Sequence, residues 1–451
     1  MSGTAALLAV FVVYGLLASR FDRWFISAPI FFVVTGLILG SSGADILSGL
    51  DSETTLVVTE LTLGVLLFAD AATVQLREVE GDARLPVRLL LVGLPLTIAL
   101  GTVAAKVFFP EAGWAAAALI ATILAPTDAA LGLAVVTNPA VPARIRRALN
   151  VESGLNDGIA TPFVTLFLTL LLAEEGLGSG HWAAEAAKEI GLALVAAVAI
   201  GVLGGKLLMV ARRLGWTSAI SEQLVVLALS LLAYVGAVAI GGNGFVAAFV
   251  GGLVFGASTG SSMHEPVEFT ETVGLFASFF VWTLFGATFV GPVVTGDIEP
   301  LAILYAVVSL TVVRMMPVAA AAAGTGLRRD TVAFMGWFGP RGLASVVFTL
   351  IAVEELHGSG PVAGVITEIA TWTILLSVMA HGLSADPIAR AYGRRLSTAE
   401  DIPELAEAPE PRIRRRDIVS REQGGRRSAL GYESSISDDA GLSREHKHDQ
   451  P

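Results

Sequence analysis

Residues 151–163 read VESGLNDGIATPF, and this stretch decides how the rest of the chain is read. It sets Glu152, Ser153, Asn156 and Asp157 inside an otherwise apolar segment bounded by Arg147 and Glu174. At about 1.5 Å of helical rise per residue, Asp157 lies about 15 Å beyond Arg147, half-way through a hydrocarbon layer about 30 Å thick. A carboxylate at that depth is costly and marks a functional site. Spacings of three and four put Ser153, Asn156, Asp157 and Thr161 on one helix face. Glu152, about 140° around from Asp157, faces a different neighbour. The Asp157 face offers one ionisable oxygen ligand and a few neutral oxygens, with no sulfur or imidazole. That donor set suits a hard cation or a proton.

The remainder of the chain agrees with a membrane setting. Of 451 residues, 54% are hydrophobic and only 15% charged, with a mean hydropathy of +0.71, against about 25% charged in soluble domains. Cysteine is absent, which excludes disulfides, thiolate metal sites and cysteine nucleophiles. Thr4–Ala18 is apolar with no basic region before it, and reads as a first span rather than a cleavable signal. No cofactor and no nucleic-acid partner is expected. The formal net charge of −11 comes partly from acidic residues in loops such as Glu174, Glu175, Asp297, Glu354 and Glu355, read as a solvated rim or a local concentrator of cations.

Apolar runs with polar breaks predict an all-α integral membrane protein of about thirteen helices. They fall near 4–19, 25–40, 54–75, 87–108, 114–136, 150–173, 184–210, 219–240, 243–258, 269–291, 300–323, 330–353 and 361–384. Arginines at 20/23, 77/84/88, 144/146/147, 212/213, 328/329 and 390/394/395 then gather on one side of this arrangement. The positive-inside rule makes that side cytoplasmic, with the N-terminus outside and the C-terminus inside. From about Ala391 the hydrophobicity stops. Residues 391–451, with RIRRR at 412–416, read as a disordered cytoplasmic tail behind a transmembrane domain of 1–390.

Other polar residues lie deep. The fifth helix carries Ala125-Pro126-Thr127-Asp128 and the twelfth Gly339-Pro340-Arg341-Gly342. Each has a proline break followed by a charge near mid-membrane, and the two helices run in opposite directions. This is the pattern of inverted repeats whose broken, crossing helices meet at a midplane site. A half-helix N-terminus carries partial positive charge and a C-terminus partial negative charge. Asp128 suits the first and Arg341 the second, so both read as structural-electrostatic. Arg314 in the eleventh helix is also deep and needs a partner, for which Glu152 is turned the right way. Asp70 in the third helix reads either as a further ion ligand or as a carboxylate facing a water-filled funnel. His381, near the inner end of the last helix, reads as interfacial.

On these motifs the chain resembles the monovalent cation/proton antiporter superfamily, in its NhaP-like sodium/proton exchanger branch with an Asn-Asp pair. The resemblance rests on Ala125–Asp128, Glu152–Gly158, Arg314 and Gly339–Gly342, and extends over nearly all of residues 1–390. It implies a homodimer in a prokaryotic inner membrane, with a dimer part of about 1–75 and 219–291. An ion-carrying core of about 87–173 and 300–384 would be bridged by a linker helix at 184–210. It also implies that Asp157 binds Na+ and H+ alternately, that Ser153 and the Thr127 backbone help coordinate, that Asn156 supports them, and that Glu152–Arg314 is a structural ion pair. Relatives often carry glutamate where this chain has Asp70. The expected function is 1:1 electroneutral Na+/H+ exchange by alternating access, with K+/H+ exchange (or Li+ as the cargo) at the same site as the alternative. Two intramembrane aspartates raise a distant alternative, an aspartyl protease, which needs two carboxylates sharing a proton.

Overall fold

Backbone amides in hydrocarbon find no water, so each apolar run must close its hydrogen bonds within itself as a helix. The chain was described from a computed structural model covering residues 2–24, 26–40, 43, 52–74, 84–128, 131–178, 180–356, 360–396 and 402–405. Among these residues the structure is helical, in thirteen segments: α1 (Ser2–Arg23), α2 (Ala28–Leu39), α3 (Ser52–Thr73), α4 (84–108), α5, α6 (Ala143–Glu174), α7 (Trp182–Arg213), α8 (Ala219–Ala239), α9 (Gly244–Thr259), α10 (264–295), α11 (300–322), α12 and α13 (Pro361–Leu396). Two are in pieces. α5 comprises α5a (Gly113–Ile123) and the short α5b (Leu133–Val136), and α12 comprises α12a (Arg329–Trp337) and α12b (Leu343–Glu355). Nine helical stretches are long and apolar enough to cross a membrane, counting 244–295 as one.

α6 and α13 run further than hydropathy suggested. α6 begins at Ala143 rather than near 150, with Pro142 at its N-cap, and α13 continues to Leu396 rather than stopping near 384. Hydropathy marks where lipid ends, whereas a helix continues into water as long as its residues tolerate it. Residues 391–396 of the expected tail therefore belong to this helix. Tyr392 and Leu396 are buried, packed with Val141, Phe334 and Phe338, and Pro403–Leu405 forms a 3₁₀ turn with Glu404 buried. The RIRRR run at 412–416 lies outside the described residues.

Three helices contain a π-helical turn: Leu89–Gly93 in α4, Gly286–Val290 in α10 and Ser309–Val313 in α11. Each is followed within four residues by a proline, Pro95, Pro292 and Pro317 respectively. A proline has no N–H to give the carbonyl four residues back, and its ring crowds that carbonyl. Widening the preceding turn relieves both problems.

Packing falls into two neighbourhoods. α9 lies against α7, α3 and α8, and α10 against α2 and α3; α4, α5a, α6, α11, α12 and α13 pack among themselves. α6, α12b and α13 touch both groups: α6 through α7, α3 and α9, α12b through α3 and α10, and α13 through α10 and α2. This brings the residues of the opening stretch to the middle of the bundle.

Candidate functional site

The two interruptions face one another. The Asp128 N–H donates to the Pro340 carbonyl at 2.8 Å. Asp128 Oδ2 accepts the Leu343 N–H at 3.0 Å, capping the start of α12b, and Oδ1 accepts the Leu131 N–H at 3.0 Å. Arg341, with no exposed surface, sends Nη1 to the Ala125 carbonyl (2.5 Å) and the Pro126 carbonyl (3.3 Å) beyond the end of α5a. Ser345 Oγ donates to the Ile123 carbonyl at 2.7 Å. A carboxylate thus sits at a helix N-terminus and a guanidinium at a helix C-terminus, each opposite in sign to the partial charge there. The glycines of the GPRG motif make room for charges. A Cβ on Gly339 would lie 2.3 Å from Arg314 Nε, and one on Gly342 would lie 1.9 Å from Asp128 Oδ2.

Beside this junction lies a polar cluster between α5 and α6. Thr127 Oγ1 is its hub: Asn156 Nδ2 donates to it at 2.6 Å, and Ser153 Oγ is 3.0 Å away. Thr127 and Asn156 are buried, while Ser153 and Asp157 are half-buried. Asn156 Oδ1 is buried without a hydrogen-bond partner among the described residues, an acceptor available to a cation or a water. The Asp157 backbone carbonyl is occupied by Thr161 Oγ1 at 2.9 Å. The arrangement offers several oxygens around one carboxylate and no sulfur or imidazole, suiting a hard cation or a proton.

On the other side of α6, Glu152 Oε1 and Arg314 Nη1 are 2.5 Å apart, and both residues are buried. Arg314 Nε and Nη2 and Arg341 Nε and Nη2 are buried with no partner among the described residues, so this region has unused donor capacity that water could fill.

His381, read from the sequence as interfacial, is 1% exposed, and α13 runs fifteen residues beyond it to Leu396. Its imidazole lies 5.2 Å from the Trp337 ring and bonds across to α12. With Ser377, one turn earlier, it forms a polar pair that hydropathy does not single out; the i, i+4 spacing of serine and histidine on an apolar helix was the available signal.

A polar cluster among helices long and apolar enough to cross a membrane is the setting of a membrane transport protein, and the comparisons place the chain in that class. The family model for the transmembrane sodium/hydrogen exchanger matches residues 6–391, and the chain belongs to that family. Among curated relatives, a K(+)/H(+) antiporter NhaP2 of Shewanella sp. strain ANA-3 is 23% identical over 390 residues, covering 86% of this chain. The chain spans 66% of that relative's length, just under two thirds. A Na(+)/H(+) antiporter of Schizosaccharomyces pombe is 25% identical over 387 residues, covering 78% of this chain and 82% of the relative. The fold is similar to the structure of the sodium proton antiporter MjNhaP1 from Methanocaldococcus jannaschii, with a TM-score of 0.68 and 20% identity over 87% of this chain and 99% of that one. Family and neighbours are transporters rather than enzymes, which removes the protease alternative.

Proposed function

We propose that the chain exchanges one sodium ion for one proton by alternating access, with Asp157 carrying either in turn. The observation that carries this reading is the Thr127–Ser153–Asn156 cluster beside the half-buried Asp157, with Asn156 Oδ1 left unpartnered. A bare carboxylate in a low-dielectric site is costly. A proton or a cation each removes that cost, and each excludes the other from the same oxygens. Only the loaded site is neutral enough to cross the dry part of the protein.

In this reading Ser153 and Thr127 coordinate the cation and Asn156 supports them. Asp70 faces the same site, as a second ligand or as the wall of its access funnel. Glu152 with Arg314, and Asp128 with Arg341, keep the scaffold neutral and in register as the inverted-repeat halves move. α4–α6 and α11–α13 form the mobile core, α1–α3 and α8–α10 the part that dimerises, and α7 the linker between them. The arginine distribution supports an N-terminus outside a prokaryotic inner membrane. Potassium in place of sodium is the second reading, favoured by the name of the Shewanella relatives and by a donor set of hard oxygens that suits either ion.

The test is proton flux in proteoliposomes, followed by a pH dye, with Na+, Li+ and K+ supplied separately. Sodium should drive the largest flux, and Asp157→Asn should abolish it while leaving a folded protein. Flux from Asp157→Asn at more than a few per cent of the unsubstituted protein would sink the carrier assignment; flux with potassium alone would select the second reading.

A further inference from the structure

An interrupted helix leaves backbone groups that must be satisfied elsewhere. Were α12 continuous, the Arg341 N–H would donate to the Trp337 carbonyl four residues back. In the structure each of these groups meets a side chain of α13 instead. The Arg341 N–H donates to Ser377 Oγ at 2.7 Å. The Trp337 carbonyl lies 2.8 Å from His381 Nε2 and also takes the Gly339 N–H at 2.9 Å. Ser377 Oγ and His381 Nδ1 are themselves 3.1 Å apart. A carbonyl can only accept, and each ring nitrogen lies 2.8 Å from one, Nε2 from that of Trp337 and Nδ1 from that of Ser377, so a neutral imidazole donates to one of the two. The bridge to Trp337 is made with the hydrogen on Nε2 and Nδ1 accepting from the Ser377 hydroxyl. Ser377 has no exposed surface and His381 almost none. A third tie holds the same end of α12a, where Trp337 Nε1 donates to Ser384 Oγ at 2.9 Å.

We propose that Ser377 and His381 are positioning residues that splice the break in α12, standing in for the Trp337–Arg341 backbone hydrogen bond. The splice sets the span between the two halves of the helix. That span decides where the Pro340 carbonyl meets the Asp128 N–H and where the Arg341 guanidinium meets the Ala125 carbonyl. Thr127, the hub of the cation cluster, lies between those two anchored residues. The pair never touches the cargo; its effect reaches the cation through the α5 interruption. In its consequence for transport, the proposal rests on the antiport reading above.

Two readouts separate the splice from that reading. The first is hydrogen–deuterium exchange of peptides containing Arg341 in the purified protein; the second is the apparent cation KM in proteoliposomes. Ser377→Ala and His381→Phe should each speed exchange at Arg341. Each should also raise KM about fivefold, the worth of one net hydrogen bond. His381→Gln keeps a donor and an acceptor on one side chain and should return KM to within about twofold of the unsubstituted protein. Because both residues act on one relay, the double variant should be no worse than His381→Phe alone. A merely structural role would lower the yield of folded transporter and leave KM unmoved. Unchanged exchange at Arg341 together with an unchanged KM in Ser377→Ala overturns the proposal, as do fully additive effects in the double variant. If the unsubstituted protein moves no cation while exchange at Arg341 still responds, the antiport reading has failed and the splice stands.

Discussion

Two buried charges of this protein form a pair of opposite sign, and their energetics are set by what each would face alone. Glu152 and Arg314 lie side by side with almost no exposed surface. Glu152→Gln would leave a guanidinium buried without its counter-charge, at a cost of roughly 3–5 kcal/mol. The double change with Arg314→Gln should recover part of that loss, because the second substitution removes the stranded charge. A thermal-unfolding cycle with strictly additive effects would show that the pair contributes no coupling. The depth of both residues was legible in the sequence, and so was the need of Arg314 for an acid. The unused donors on Arg314 and Arg341 were not, since they depend on which backbone carbonyls happen to lie nearby.

At the scale of the element, interruptions and π turns follow from proline, and their repair comes from other helices. Asp128 accepts the Leu343 N–H at the start of α12b and the Leu131 N–H on its own chain. Asp128→Ala should cost about 1–2 kcal/mol, the worth of a lost helix cap, and speed amide exchange at the beginning of α12b. Gly342→Ala should act in the same direction while leaving the charge in place, because the added Cβ would fall on the Asp128 carboxylate. If exchange at Leu343 is the same in Asp128→Ala as in the unsubstituted protein, the carboxylate is not the cap. The prolines were visible in the sequence, and with them the sites of irregularity. The extension of α6 and α13 beyond the lipid was not, since hydropathy registers only the apolar part of a helix.

For the whole molecule the consequence is stoichiometric. The residue before Asp157 is Asn156, an amide that cannot carry a proton, and its Nδ2 is committed to Thr127. On the proposed reading, one titrating carboxylate would exchange one proton for one monovalent cation, and no net charge would cross per cycle. Membrane potential acts at about 2.3 kcal/mol per charge per 100 mV, so it should leave the equilibrium of this exchange unmoved. With liposomes clamped at several potentials by potassium and valinomycin, the pH gradient that nulls flux against a fixed sodium gradient should stay constant. A null point that drifts with potential would mean unequal numbers of charges, and would direct attention to Asp70 as a second proton carrier.

What the sequence determined by itself was an expectation of depth: helical rise and the bounds of each apolar run predict Asp157, Asp128, Arg341, Arg314 and Glu152 at mid-membrane, and helical spacing assigns faces within α6. What only the tertiary structure decided was lateral adjacency: that Asn156 and Ser153 converge on Thr127 Oγ1, that Asp128 caps α12b, and that His381 is buried against Trp337. The physical reason is the solvent. Lipid tails are as apolar as leucine, so hydrophobicity orders residues along the bilayer normal and says little about which helix lies beside which. Neighbours are chosen by small-residue packing and by the hydrogen bonds that broken helices require, and both exist only once the bundle has closed.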